Sequence, residues 1–246
     1  MDEERQDARP DGDGRTSVLA DRNLRASVAT AIVGAVTVAW LTAYNLQGCP
    51  VWALGSACTT GRSWEEYLLV NLTGLVLVPM VTVFALPNEG PHVFGFWGPR
   101  RTAWRTAGVL YLAMLIPLAV ASRQSAFAAY YPMQPEAAYS LPFLLYHEAT
   151  YGLYMFGWEF FYRGFLTLGL SRRFGNVAAV ILQAAAFGLM HYGKPWPEFG
   201  GSFIAGVALG CLAIRARSFY PGFCLHWACS VTFDLMVIYA RPDGIF

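Results

Sequence analysis

Trp158-Glu-Phe-Phe-Tyr-Arg163-Gly164 sets a glutamate and an arginine four residues apart inside an apolar run long enough to cross a bilayer. An unpaired carboxylate at that depth is costly, so an ionisable residue there marks a functional site by default. A spacing of four puts Arg163 one helical turn from Glu159 on the same face, where the two can pair. Outward along the chain, His191 and His226 stand in similarly apolar surroundings. A glutamate, an arginine and two histidines drawn from three apolar segments describe a buried polar site in a helical membrane protein.

Composition extends that reading to the whole chain. Of 246 residues, 56% are hydrophobic and 13% are charged. Stretches near the length needed to span, about 20 residues each, fall at 26–46, 67–86, 105–122, 142–171, 176–193, 199–214 and 219–240. The predicted fold is an all-α, polytopic transmembrane helix bundle of about seven spans, with the site in a C-terminal four-helix core. Residues 1–25 concentrate charge without an apolar period and read as a disordered, solvated tail. They lack the apolar core and cleavage site of a secretory signal, so the first span reads as an uncleaved anchor. Residues 26–141 read as N-terminal scaffold helices, and 142–246 hold nearly all of the intramembrane polar residues. A formal net charge of +1 gives no reason to expect nucleic acid as a partner.

The arginines set the expected orientation. Arg15, Arg22 and Arg25 precede the first span, and Arg100, Arg101 and Arg105 flank the second loop. Arg172 and Arg173 end the fourth span, and Arg215 and Arg217 end the sixth. These clusters alternate with loops poor in positive charge, which predicts a cytoplasmic N-terminus and an outer C-terminus; the expected location is as an integral protein of a bacterial plasma membrane. Cys49 and Cys58 fall in the first outer loop, where a disulfide and two free thiols are both open readings. Cys211, Cys224 and Cys229 fit no zinc spacing and read as packing residues.

Three segments carry the candidate chemistry. In the fourth span Glu148 and Glu159 lie eleven residues apart, about three turns, and share a face with Gly152 and Met155 between them. In the fifth, Gln183, Phe187 and His191 share a face, and the small residues 184–186 and 188 invite close approach by another helix. His191 and Glu159 come out at matching depths, about 22 and 20 Å along helices joined by the Arg173-Phe-Gly-Asn176 turn. In the last span His226, Ser230 and Asp234 share a face, after a Pro221-Gly222 pair expected to break the helix. Ser230 reads either as an oxyanion donor or as a hydroxyl bonded to its own backbone.

In this order the residues resemble the CPBP superfamily: CAAX-protease, bacteriocin-processing and Abi-like intramembrane proteases, relatives of the Ras-converting CAAX endopeptidase. The resemblance covers about 155–232. Glu159-Phe-Phe-Tyr-Arg163-Gly164 is similar to the first motif, Phe187-Gly-Leu-Met-His191 to the second, and His226-Trp-Ala-Cys-Ser230 to the third, with Ser where Asn is usual. The resemblance implies hydrolysis of a peptide bond in a membrane-embedded or lipidated substrate by glutamate- and histidine-activated water, without a cofactor. Glu159, Arg163, His191, His226 and Ser230 are the site residues it implies.

The first motif departs from the family pattern. Where the family has two adjacent glutamates, Trp158 fills the farther position, the one usually taken as the base. Either Glu159 does that work, or a substitute base does (Glu148 or Glu198), or the chain is a non-catalytic scaffold or immunity protein. Lys194-Pro-Trp-Pro-Glu198 resembles a subgroup that shares the Trp-Glu-Phe-Phe pattern. A zinc-dependent version of the protease would take its Zn2+ on Glu159, His191 and His226.

Overall fold

The computed structural model describes residues 12–46, 63–86 and 90–241, with side chains from residue 24. Cys49 and Cys58 lie outside these residues. Helix α1 runs Gly12–Asn45, α2 Trp64–Leu72, α3 Val78–Ala85, α4 Arg101–Ala121, α5 Ser125–Ala128, α6 Leu141–Glu159, α7 Gly169–Leu189, α8 Trp196–Ala216 and α9 Tyr220–Tyr239. A π-helical turn, Thr73–Leu77, joins α2 to α3, and a longer one, Phe160–Leu168, joins α6 to α7. Six helical runs among the described residues are long and apolar enough to cross a membrane. The fourth, Leu141–Leu189, is 49 residues long and breaks at Gly175, where φ is 79° and ψ 165°. Only glycine adopts such a backbone without strain. The break reverses the chain so that α7 packs back along the π segment, which accounts for the seventh span.

Two expectations about the helices change. Residues 12–25, read as part of an irregular tail, continue α1 as helix; Leu, Ala and Arg there are good helix formers, and charge does not oppose a helix beyond the bilayer. Pro221-Gly222 does not break α9, because Pro221 sits in its first turn, where the missing N–H is not needed.

The Phe160–Leu168 segment forms the axis of the bundle. All nine of its residues are buried, and it touches α1, α6, α7, α8 and the Thr73–Leu77 turn. The segment carries Arg163, and an arginine at membrane depth has to face the interior of the bundle. The outside of the molecule is the reverse of a soluble protein's: Ile116 is 74% and Val177 79% exposed, while Arg163 is 0%. Apolar exposure on that scale marks the lipid-facing surface. Cys211 and Cys224 lie on that surface, contrary to the packing role read for them; Cys229 is half-buried against the cluster around Leu225.

Close backbone approach fixes the C-terminal core. A Cβ on Gly206 would come within 2.9 Å of the Ala184 backbone, so α7 and α8 meet through the small-residue stripe predicted from sequence. Gln183 sits in that seam and donates to the carbonyls of Gly206 at 2.7 Å and Val180 at 3.0 Å. A Cβ on Gly164 would lie 2.7 Å from the Phe94 carbonyl oxygen, so the glycine after Arg163 lets the loop before α4 seat against the axis. Gly95 there lies against Leu168 and Ser218, which brings the arginine-bearing ends of α4, the axis and α8 to one end of the bundle. At the other end residues 122–140 fold over α8 and α9, with Tyr131 on Glu198 and Arg241 donating to the carbonyls of Ala128 and Tyr131.

Candidate active site

The three motifs meet on the axis. Glu159, the last residue of α6, puts Oε1 3.1 Å from Nη1 of Arg163 and 2.8 Å from Nδ1 of His226. Glu159 and Arg163 are completely buried, while the His226 side chain is 20% exposed. The axis widens into π turns immediately after Glu159, and the Thr167 hydroxyl donates to the carbonyl of Tyr162, five residues back, at 2.7 Å. Stretches of π-helix are rare and concentrate at functional sites.

Phe187 explains the second motif physically. Its ring lies 4.0 Å from the Arg163 guanidinium carbon, a cation–π contact strengthened by burial. Its carbonyl accepts a 2.8 Å hydrogen bond from Nδ1 of His191. A carbonyl oxygen can only accept, so Nδ1 of His191 carries the proton and Nε2 has the lone pair. The same ring lies 4.5 Å from the His191 ring and 5.8 Å from the His226 ring. One phenylalanine therefore supports the arginine and both histidines. Trp158, in place of the farther glutamate, lies edge-on to His191 at 5.2 Å.

The Oε2 atom of Glu159 has no hydrogen-bond partner among the described residues and faces the backbone of Gly222 in α9. A Cβ at position 222 would sit 2.8 Å from that oxygen. Arg163 and His226 hold the carboxylate, so it cannot swing clear. Gly222→Ala is therefore expected to leave the bundle folded but to lower turnover by about a hundredfold, the cost of displacing a reacting group by roughly 1 Å. Rate and melting temperature measured side by side check this. A variant with unchanged rate would show that Oε2 has room elsewhere.

The other sequence candidates sit apart from this group. Ser230 donates to the His226 carbonyl at 3.1 Å, the backbone-bonded alternative of the two read from sequence. Glu198 is clasped by Lys194 at 2.7 Å and by the Tyr131 hydroxyl at 2.7 and 2.8 Å. Burial, and then the Glu198 carboxylate, hold the Tyr131 phenol well above its usual pKa, so it remains a donor. Glu148 shares a helix face with Glu159, but Trp227 fills the gap between them. The Trp227 ring packs on Gly152, and its Nε1 donates to the Glu148 carbonyl at 3.1 Å. Glu159, His191 and His226 are not a group of three whose ligand atoms all lie within 4.8 Å of one another; among the described residues, His147, Glu148 and Asp234 are. Sequence reading missed the role of Gly222 and the His147 cluster. The Pro-Gly pair and the adjacent His147-Glu148 were visible signals for them.

Residues 139–232 match the family described as type II CAAX prenyl endopeptidase Rce1-like. The match covers less than half of the chain, includes all three motifs, and agrees with the CPBP resemblance read from them. No curated protein and no solved structure matches the chain.

Proposed function

We propose that this protein is an intramembrane endopeptidase that hydrolyses a peptide bond of a membrane-associated or lipidated peptide. The observation that carries the reading is the divided Glu159 carboxylate. Oε1 is hydrogen-bonded by His226 and ion-paired with Arg163, and among the described residues Oε2 has no hydrogen-bond partner. Oε2 takes a proton from water as the water oxygen bonds to the scissile carbonyl carbon. His226, anchored through Nδ1, turns Nε2 toward the reacting carbonyl, where the protonated ring donates to the oxyanion. His191, with Nδ1 on Phe187, offers the Nε2 lone pair to orient the water. The proton then passes to the leaving nitrogen as the carbon–nitrogen bond breaks. Arg163 is a positioning residue, since it reaches the reaction through Glu159. No cofactor enters this scheme. The exposed edge of His226 is the side from which water and substrate approach.

Trp158 supports a second reading, a scaffold that keeps the fold without turnover. The indole occupies the place from which the family's farther glutamate would act. The deciding experiment uses the full chain in lipid vesicles, with a farnesylated peptide ending in Cys-aliphatic-aliphatic-X and its unprenylated twin as probes. Cleavage of the prenylated peptide is expected, with the cut bond located by mass spectrometry. His191→Ala and His226→Ala should each lower the rate by about 10²–10³. Ser230→Ala should change it by less than about tenfold, because its hydroxyl is engaged with a backbone carbonyl. A folded wild-type chain that cuts neither these peptides nor a membrane-anchored leader peptide would favour the scaffold.

A further inference from the structure

We propose that His147, Glu148 and Asp234 form a binding site for a divalent cation of the zinc class, at the end of the bundle opposite the arginine clusters of α4, the axis and α8, and separate from the Glu159 group. The site draws two ligands from the second and third turns of α6 and one from the penultimate turn of α9. One ligand atom from each residue lies within 4.8 Å of the others. Around a zinc ion with bonds near 2.0–2.1 Å, ligand atoms of a tetrahedron stand about 3.3 Å apart. Nε2 of His147 and Oδ2 of Asp234 already stand 3.2 Å apart.

Two independent observations point to a ligand here. Glu148 is 9% exposed, and among the described residues neither of its carboxylate oxygens meets a hydrogen-bond donor of another residue type; their neighbour is the Asp234 carboxyl group. Two buried carboxylates side by side are costly unless a shared proton or a cation joins them, and a cation satisfies both without protonating either. The other observation is the far side of His147. Nδ1 lies 3.0 Å from Oε1 of Gln134, itself buried in the 122–140 segment. The amide oxygen accepts, so Nδ1 carries a proton, and Nε2 faces the Asp234 carboxylate, where it donates when protonated and would ligate a cation in place of that proton. Metal-ligating histidines are held in this way, with the second ring nitrogen donating to a carbonyl or carboxylate.

Charge supports the same assignment. Metal binding would take the imidazole neutral and both carboxylates ionised, and a divalent ion would cancel the resulting −2. Lys194 does not serve instead, because its ammonium is engaged with Glu198 and Tyr131. One imidazole and two carboxylates suit zinc or manganese better than a soft or all-oxygen metal. Bound there, the ion would tie the 122–140 segment to α6 and α9 through Gln134 and His147.

The test uses the full chain without a polyhistidine tag, purified in detergent, with Zn2+ as the probe and Mn2+ as comparator. Wild type should retain about one Zn2+ per chain by elemental analysis, and saturating Zn2+ should raise its melting temperature by on the order of 5 °C. Glu148→Gln and Asp234→Asn should abolish both effects. Glu159→Gln, which alters only the central group, should keep them. If the ligand variants fail to fold, Gln134→Ala supplies the test. It touches only the remote ring nitrogen and should weaken Zn2+ binding about 10- to 100-fold. A wild-type chain that holds no Zn2+ and shows no thermal shift overturns the proposal. So does binding that Glu159→Gln abolishes and Asp234→Asn spares, which would move the ion to the Glu159 group.

Discussion

Glu159→Gln is expected to lower turnover per folded molecule on the order of 10⁴-fold, the upper end of what a positioned general base contributes. Glutamine keeps the shape of the side chain and can still accept from His226. It cannot take a proton from water, and among the described residues no carboxylate nearby can replace it. Glu198 is held by Lys194 and Tyr131, and Glu148 lies beyond Trp227. The substitution also leaves Arg163 buried without a counter-charge, so the rate has to be normalised to folded protein, measured by monodispersity and melting. Glu148→Gln and Glu198→Gln are the controls. If either of them stops cleavage while Glu159→Gln spares it, the base lies elsewhere and the assignment of Glu159 fails.

Arg163→Ala should cost stability more than any other single change at the site. Removing one member of a buried ion pair typically costs about 3–5 kcal/mol, because the remaining charge is stranded without solvent. Here Glu159 and Arg163 are both completely buried, and the guanidinium also loses its seat on Phe187. The expected result is a sharply lowered melting temperature and poor accumulation in membranes. Arg163→Lys should fall between, because an ammonium keeps the charge but not the planar contact with the ring. The double variant Glu159→Gln/Arg163→Gln should be more stable than the sum of its single changes implies, since each single change strands a charge and the pair strands none. Strict additivity would show that the 3.1 Å contact carries no coupling.

The sequence by itself determined most of what depends on local period and composition, the helix through residues 12–25 and the start of α9 being the exceptions. Apolar runs of membrane-spanning length fixed the helix bundle and nearly all of its spans, because hydrocarbon leaves the backbone few alternatives to helix. Glu159 and Arg163 were legible as a pair from their spacing, and Phe187 and His191 as one face of α7, because a helix repeats every 3.6 residues wherever it is placed. The arginine clusters were legible as marking alternate helix ends, and the structure gathers those of α4, the axis and α8 at one end of the bundle.

Tertiary structure alone decided which faces meet. His226 reaches Glu159 across 67 residues of sequence, and the Phe187 ring comes to lie over Arg163 from a different helix. Neither contact has a local signature, because it depends on helix rotation and on glycines that let the backbones close. Gly222 permits the approach of Oε2, and Gly206 sets the spacing of α7 and α8. Ser230 reads equally well from sequence as an oxyanion donor or as a backbone-bonded hydroxyl, and the packed structure places its hydroxyl on the His226 carbonyl. His147, Glu148 and Asp234 were separate features of two spans until α6 and α9 packed together. Charge and period are written residue by residue, whereas the pairing of helix faces is settled by close packing summed over the whole bundle.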